Sequence, residues 1–217
     1  MKTRYATFTT ILLLLFNYCF GQDGKNSFAF EDGVRKEIEN TSSAFYYANL
    51  INKINKEPDK ITREEIKYLY YGQIYKKGTG LGFLDDPEGN EFRKAVSKNK
   101  CDKVLKLGYF VLHKNPVELT TLFPVNSCRE KNDEPDSLFL VLRTKMVMEV
   151  ILETGDGKTR ETAIKIANIE DDLVLKGILG FKGGKETLES TGGRTYSVWT
   201  NGDKKIYFED CWNYKYR

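Results

Sequence analysis

The stretch "ETGDGKTRETAIKI", residues 153–166, divides the chain into two kinds of pattern. Upstream of it, apolar residues recur at helical spacing; downstream, β-branched and aliphatic residues come in short runs of strand character. Its Gly-Lys-Thr also raises the question of a phosphate-binding loop. Such a loop needs a glycine five residues before Gly157, and Leu152 stands there. It also needs a strand before it and a helix after it, so that helix N-terminal amides face the phosphates. Here a long helix precedes and a strand follows. Gly155-Asp156-Gly157 therefore reads as the exit from that helix, with Gly155 at the left-handed closing position.

The preceding helix is "SLFLVLRTKMVMEVILETG", apolar nearly all round from Leu138 to Leu152. That pattern predicts a central helix covered on several sides. Further upstream, "ITREEIKYLYYGQIY" starts at Thr62 with Glu65 three residues on, a reciprocal capping pair, and buries Ile66, Leu69, Tyr70 and Ile74. "SSAFYYANLINKINK" takes Ser42 or Ser43 as its cap, with Tyr46 or Tyr47, Leu50, Ile51 and Ile54 on one face, after a short helical turn around Val34 and Ile38. "GTGLGFLDDPEGN" is a turn-rich connection into "EFRKAVS", a short helix showing Phe92 and Val96. Asp102 is the expected cap of the next helix, which carries Val104, Leu107 and Val111. "NPVEL" then gives a further start: Asn115 as cap, Pro116 at the first helical position and Glu118 at the third.

Two helices meeting at Asn115 and folding back as a hairpin bring Cys101, 14 residues before the hinge, beside Cys128, 13 after it. A Cys101–Cys128 disulfide is expected, with Cys211 left as a free thiol in the last strand. Oxidation fits the amino terminus. Residues 1–21 run from Lys2 and Arg4 through the apolar Ile11–Phe16 to Cys19-Phe20-Gly21, the order of a secretory signal peptide. Cleavage after Gly21 leaves Gln22 first and places the protein in the periplasm or outside the cell. Asn17-Tyr18 puts a bulky ring where a lipid-modified cysteine needs a small neighbour, which speaks against a lipoprotein. No apolar run approaches the roughly 20 residues of a membrane-spanning helix.

Losing Lys2 and Arg4, with no acids in residues 1–21, lowers the formal charge from +3 to +1. Near-neutrality with interspersed signs excludes an electrostatic nucleic-acid surface. The roughly 195 remaining residues, rich in aromatics, suffice for a sizeable core. Downstream of Gly155, "AIKI" and "DLVLKGILGF" read as strands. "RTYSVWT" and "KKIYFEDCW" form a hairpin about Asn201-Gly202, whose positive φ angles suit the turn. Trp199 then shares a face with Ile206 and Phe208, packed on helices, while Tyr196 and Val198 share the other with Tyr207, as a partly exposed aromatic strip or packed beneath residues 182–193.

Catalytic side chains are scarce. His113 is the sole histidine, so any triad or two-histidine metal site is limited by it; at a helix end its imidazole is expected to bond the last carbonyls. Asp85-Asp86 and Asp171-Asp172 are carboxylate pairs of the type used in glycoside hydrolysis or calcium binding, but they lack calcium-loop spacing and read as solvated turn residues. Tyr68, Tyr71 and Tyr75 form a helical stripe suited to a sugar or peptide groove or to a second packing face; with Tyr196 and Tyr207 they are the candidate ligand surface. No cofactor or metal is expected.

"SAFYYANL", "IKYLYYG", "NPVEL", "ETGDGKTRETAIKI" and the terminal "KKIYF", in that order over nearly the whole mature chain, resemble a family of secreted bacterial proteins known as domain-of-unknown-function family 4919. The resemblance implies no activity, so no residue inherits a role from it.

The expected fold is α+β: a signal peptide (1–21), a layer of helical hairpins (22–154), and an antiparallel sheet packed on it (155–217), the last two forming one compact unit. Stacked hairpins are loosely tetratricopeptide-like, although the 34-residue repeat is absent. The expected function is a non-enzymatic module binding an envelope or secreted protein or peptide. The alternative is a carboxylate-based hydrolase or carbohydrate-binding protein using the tyrosine-rich surface.

Overall fold

The computed structural model describes residues 30–76, 87–132 and 138–211. Seven α-helices among them come first: α1 (Phe30–Glu39), α2 (Tyr47–Lys56), α3 (Arg63–Gly72, continued by a 3-10 turn over Gln73–Tyr75), α4 (Pro87–Ser97), α5 (Cys101–Lys114), α6 (Leu119–Lys131) and α7 (Leu138–Leu152). Then follow β1 (Ile164–Ile166), α8 (Asp171–Ile178), β2 (Lys185–Thr191), β3 (Arg194–Asn201) and β4 (Lys204–Asp210). The fold is α+β, as the change of period at Gly155 implies.

Local chemistry fixes the start of α3. Thr62 accepts from the Glu65 amide while the Glu65 carboxylate accepts from the Thr62 amide, the full capping box. Other starts differ from the sequence expectation. Tyr46, not Ser42 or Ser43, is the N-cap of α2, because the Ser43 hydroxyl is spent on the Phe45 amide and on Glu37. Lys100 precedes α5, leaving Asp102 in the first turn rather than at the cap. Asn115 does not start α6: its amide closes α5 on the Val111 carbonyl, its side chain donates to Gln73 in the core, and α6 begins after Glu118.

Helices α4, α5, α6 and α7 pack as successive neighbours, α3 lies against α7, and α1 and α2 pack on α3. Their buried stripe runs from Val34 and Ile38 through Ile66, Leu69, Tyr70 and Ile74 to Val147 and Ile151. Each of these large side chains, fully buried, contributes roughly 1.5–3 kcal/mol of transfer free energy. Helix α5 crosses α6 closely at Gly108, where an added Cβ would lie 2.3 Å from a Val125 methyl. The hairpin is joined by the Cys101–Cys128 bridge, Cα atoms 5.0 Å apart, and Pro124 does not interrupt α6. Helix α7 is central at Val147 and Ile151 but uncovered at its start, where Leu138, Phe139 and Leu142 are exposed. Apolarity all round overstated its burial.

The sheet corrects the expected topology. Its order is β1-β4-β3-β2, with β1 parallel to β4 and the remaining pairs antiparallel, so it is mixed. "DLVLKGILGF" is not a strand; most of it is α8, which buries Leu175 and leaves Leu173 in water. Strand β2 was not expected at all. Gly192 and Gly193, both with positive φ, turn it into β3. In the next turn the central residues are Gly202-Asp203, and only Gly202 has positive φ; Asn201 is already paired with Lys204.

Trp199 pairs with Ile206 and Ser197 with Phe208 on the helix-facing side, as the alternation requires. Tyr196, Val198 and Tyr207 share the opposite face and are covered by Ala163, so this strip is a small satellite core. Gly155 does not take a left-handed conformation. Its role is close approach: a Cβ there would lie 2.3 Å from the Thr162 carbonyl oxygen. The left-handed residue is Gly157, whose carbonyl accepts from Tyr207 and whose amide donates to Thr162.

Candidate functional site

The first turn of α8 lies where the helical layer meets the sheet, and it carries the adjacent acids read from sequence as solvated. Both are buried. Asp171 Oδ2 accepts from the Tyr70 hydroxyl at 2.6 Å, and that hydroxyl accepts from the Ala167 amide at 3.1 Å. Asp172 Oδ2 accepts from the Ser197 hydroxyl at 2.5 Å and from the Trp199 indole N–H at 2.8 Å. One acid thus ties α8 to α3, the other ties it to β3. A helical start makes consecutive side chains diverge by about 100°, which is how neighbours reach opposite layers.

Burial pushes the Asp171 carboxyl well above the usual carboxylate range; the Tyr70 hydrogen bond opposes this, and the nearby charges of Glu118, Asp172 and Glu170 reinforce it. Asp171 Oδ1 has no partner among the described residues. Glu118, at the start of α6, is also raised by burial, against a 2.7 Å hydrogen bond from Thr121. Glu118 and Glu170 line a cleft of about 30 Å³ with Phe92 and Arg93. That is room for a water molecule or two, not a sugar ring. Raised, sequestered carboxyls are a usual mark of catalytic sites, but here Asp171 is spent on joining α8 to α3 and Glu118 on the first turn of its own helix.

The second concavity is an open groove of about 360 Å³ on the outer side of the sheet, lined by Arg160, Glu161, Thr191, Gly192, Arg194 and Tyr196. Arg160 reaches Glu189, and Arg194 lies 3.4 Å from the buried Glu209. The 153–166 segment forms one wall. Burial alone would raise the Asp156 carboxyl, but hydrogen bonds from Lys158 and Thr162 hold it at about 2. With Asp156 occupying the Lys158 amide, and β1 rather than a helix following, the Gly-Lys-Thr sequence makes no phosphate cradle.

The five candidate tyrosines do not converge. Tyr71 is buried and donates to the Lys165 carbonyl at 3.1 Å, fastening β1 to α3. Tyr68 stacks on Phe45 at 3.9 Å, and Tyr75 lies half-buried beneath Arg35. Tyr196, in the groove, is buried, and Tyr207 is half-buried beside it on the sheet. His113 is exposed in the last turn of α5; its carbonyl accepts from Asn55, and no bond from its imidazole to the last carbonyls is present among the described residues. Asp85 and Asp86 lie outside the described residues, as do residues 1–21. Cys211, just past β4, is buried and outside the disulfide, and its S–H donates to the Glu209 carbonyl at 3.9 Å. Among the described residues no three His, Cys, Asp or Glu are grouped to hold a metal ion, and no helix is long and apolar enough to cross a membrane.

The model of a domain of unknown function, DUF4919, matches residues 32–196, from α1 into β3. The chain belongs to the DUF4919 family. No curated protein and no solved structure matches it. The DUF4919 match takes in Tyr70, Asp171, Asp172 and the cysteine bridge, so the Tyr70–Asp171 link lies within it, whereas Ser197 and Trp199, the partners of Asp172, follow just after its end. Sequence reasoning missed the α8 acids as structural groups. The one signal pointing to them was a pair of acids opening an apolar run, which is how a helix starts.

Proposed function

We propose that this DUF4919 chain is a non-enzymatic binding module that takes a protein or peptide partner on its helical layer, in the compartment reached by export through residues 1–21. The observation that carries this reading is the apolar surface left bare on α5 and α7. Tyr109, Phe110, Leu138, Phe139 and Leu142 are 41–60 % exposed. Exposed aromatic and aliphatic side chains beside cations, such as Phe110 beneath Lys114 at 4.3 Å, are typical of recognition surfaces. A carboxylate hydrolase draws no support from the described residues, because Asp171 and Asp172 are fastened to Tyr70, Ser197 and Trp199, and the cleft lined by Glu118 and Glu170 is too small for substrate.

Cross-linking capture of the tagged mature protein from envelope and secreted fractions tests the reading. One partner recovered in proportion, and lost in Phe110→Glu and Phe139→Glu, is the expected result; recovery unaffected by both substitutions counts against it. Mass spectrometry of the same mature protein is expected to find Gln22 at its amino terminus. The open groove beside Tyr196 favours a second reading, a carbohydrate or small polar ligand held by Arg160 and Arg194. A thermal-shift screen of glycans and short peptides that gives no shift, in the parent or relative to Arg160→Ala, removes it.

A further inference from the structure

Strand β2 ends the sheet, and among the described residues no strand pairs with its outer edge. Its pairing with β3 runs without a break from Lys185 opposite Thr200 to Thr191 opposite Arg194, so no bulge or proline blunts the edge. Side chains alternate: Glu186, Leu188 and Ser190 share the helix-facing side with Ser197 and Trp199, and Lys185, Thr187, Glu189 and Thr191 face the other way. The inner face is covered at β3, where Ser197 and Trp199 are buried, but bare at β2, where Leu188 is 62 % exposed.

We propose that this edge pairs two copies of the chain, β2 running antiparallel to β2 of a second molecule across a two-fold axis at Leu188. The sequence Lys185–Thr191 complements itself in that register. Leu188 meets Leu188 of the second copy, Thr187 meets Glu189, Glu186 meets Ser190, and Lys185 meets Thr191. No like charges stand directly opposite each other, Lys185 falls diagonally across from Glu189 twice, and the two Glu189 side chains, diagonal to each other across the axis, are each held by Arg160 of their own copy. Glu186 lies 3.0 Å from the Ser197 hydroxyl, whose proton goes to the nearer Asp172. A shift of one residue would flip every side chain to the wrong face, and a shift moving the axis to Thr187 would set Leu188 against Glu186. The pairing is isologous, so it closes at two chains and offers no further edge of this kind. It is a small contact, and the dimer therefore depends on concentration.

Analytical ultracentrifugation of the mature protein over a concentration series tests the proposal. The sedimenting mass is expected to rise towards two chains, and Leu188→Arg, with two guanidiniums at the axis, is expected to stay at one. Under oxidation, Leu188→Cys is expected to give a reductant-sensitive covalent dimer, since facing Cβ atoms lie about 4.5–5.5 Å apart. Glu186→Cys is expected to give none, because its copies sit four residues apart along the strands, about 13 Å. Both positions lie on the edge strand, and circular dichroism confirms that the variants fold. A parent that stays monomeric at every concentration overturns the proposal, as does Leu188→Arg dimerising like the parent. Equal cross-linking through Glu186→Cys overturns the register.

Discussion

Reducing the Cys101–Cys128 bridge, or replacing both residues with serine, is expected to cost about 3.5 kcal/mol of folding stability. The bridge spans 27 residues. In the chain-entropy model a loop of that length removes about 12 cal/mol/K from the unfolded ensemble, which at 25 °C gives the figure above. Most of the closed loop is the α5–α6 hairpin, whose interface includes the contact of Gly108 with Val125, so the native state holds the same geometry with or without the bond. The loss therefore falls on the unfolded side. Urea unfolding, followed by tryptophan fluorescence with and without reductant, reads it directly. With a denaturant slope of about 1–3 kcal/mol/M, the midpoint drops by about 1.2–3.5 M. Thiol titration of the unreduced, unfolded chain beginning at Gln22 is expected to find one thiol, Cys211. An unchanged midpoint, or three thiols, refutes the reasoning.

Three other perturbations have definite signs. Gly108→Ala places a methyl 2.3 Å from Val125 at the α5–α6 crossing and is expected to destabilise by about 1–3 kcal/mol through overpacking, read as a fall in melting temperature. Thr62→Ala removes one half of the α3 capping box and is expected to cost about 1 kcal/mol in the same assay. Asp171→Asn should flatten the pH dependence. A carboxyl whose folded pKa lies above its unfolded value holds its proton more tightly when folded, so its contribution is largest in acid and declines as pH rises past about 4, the unfolded value. Stability of the parent relative to Asp171→Asn is therefore expected to fall from acid to neutral pH; a difference that grows with pH contradicts the assignment.

What could be read from sequence was local. The Thr62–Glu65 box, the stripe Ile66, Leu69, Tyr70 and Ile74, the cysteine pairing and the faces of the β3–β4 hairpin follow from spacing alone, and all are found in the structure. What could not be read was non-local or unsigned by hydrophobicity. Strand β2 faces water on both sides, so "KETLEST" carries no apolar alternation, and only the Gly192-Gly193 turn announces it. Parallel pairing of β1 with β4 joins residues more than forty positions apart. In "DLVLKGILGF" aliphatic composition suggested a strand, whereas its leading acids and the packing of Leu175 made a helix. The same acids looked solvated because a sequence does not show that Tyr70, Ser197 and Trp199 wait to receive them.

The placement of β4 sets an order of events. It is the last described strand in the chain, yet it lies in the interior of the sheet, with β1 on one side and β3 on the other. A growing polypeptide can wind its helices and close the β2–β3 hairpin as each emerges, but Ile164–Ile166 has no strand to join until residues 204–210 are free. Until then the face bearing Trp199 lacks Ile206 and Phe208, and the chain remains a loosely closed precursor. A protein assembled this way keeps its final locking step for the moment its carboxyl end is delivered, and a chain cut short before Lys204 is expected to be recognised by proteases as unfinished.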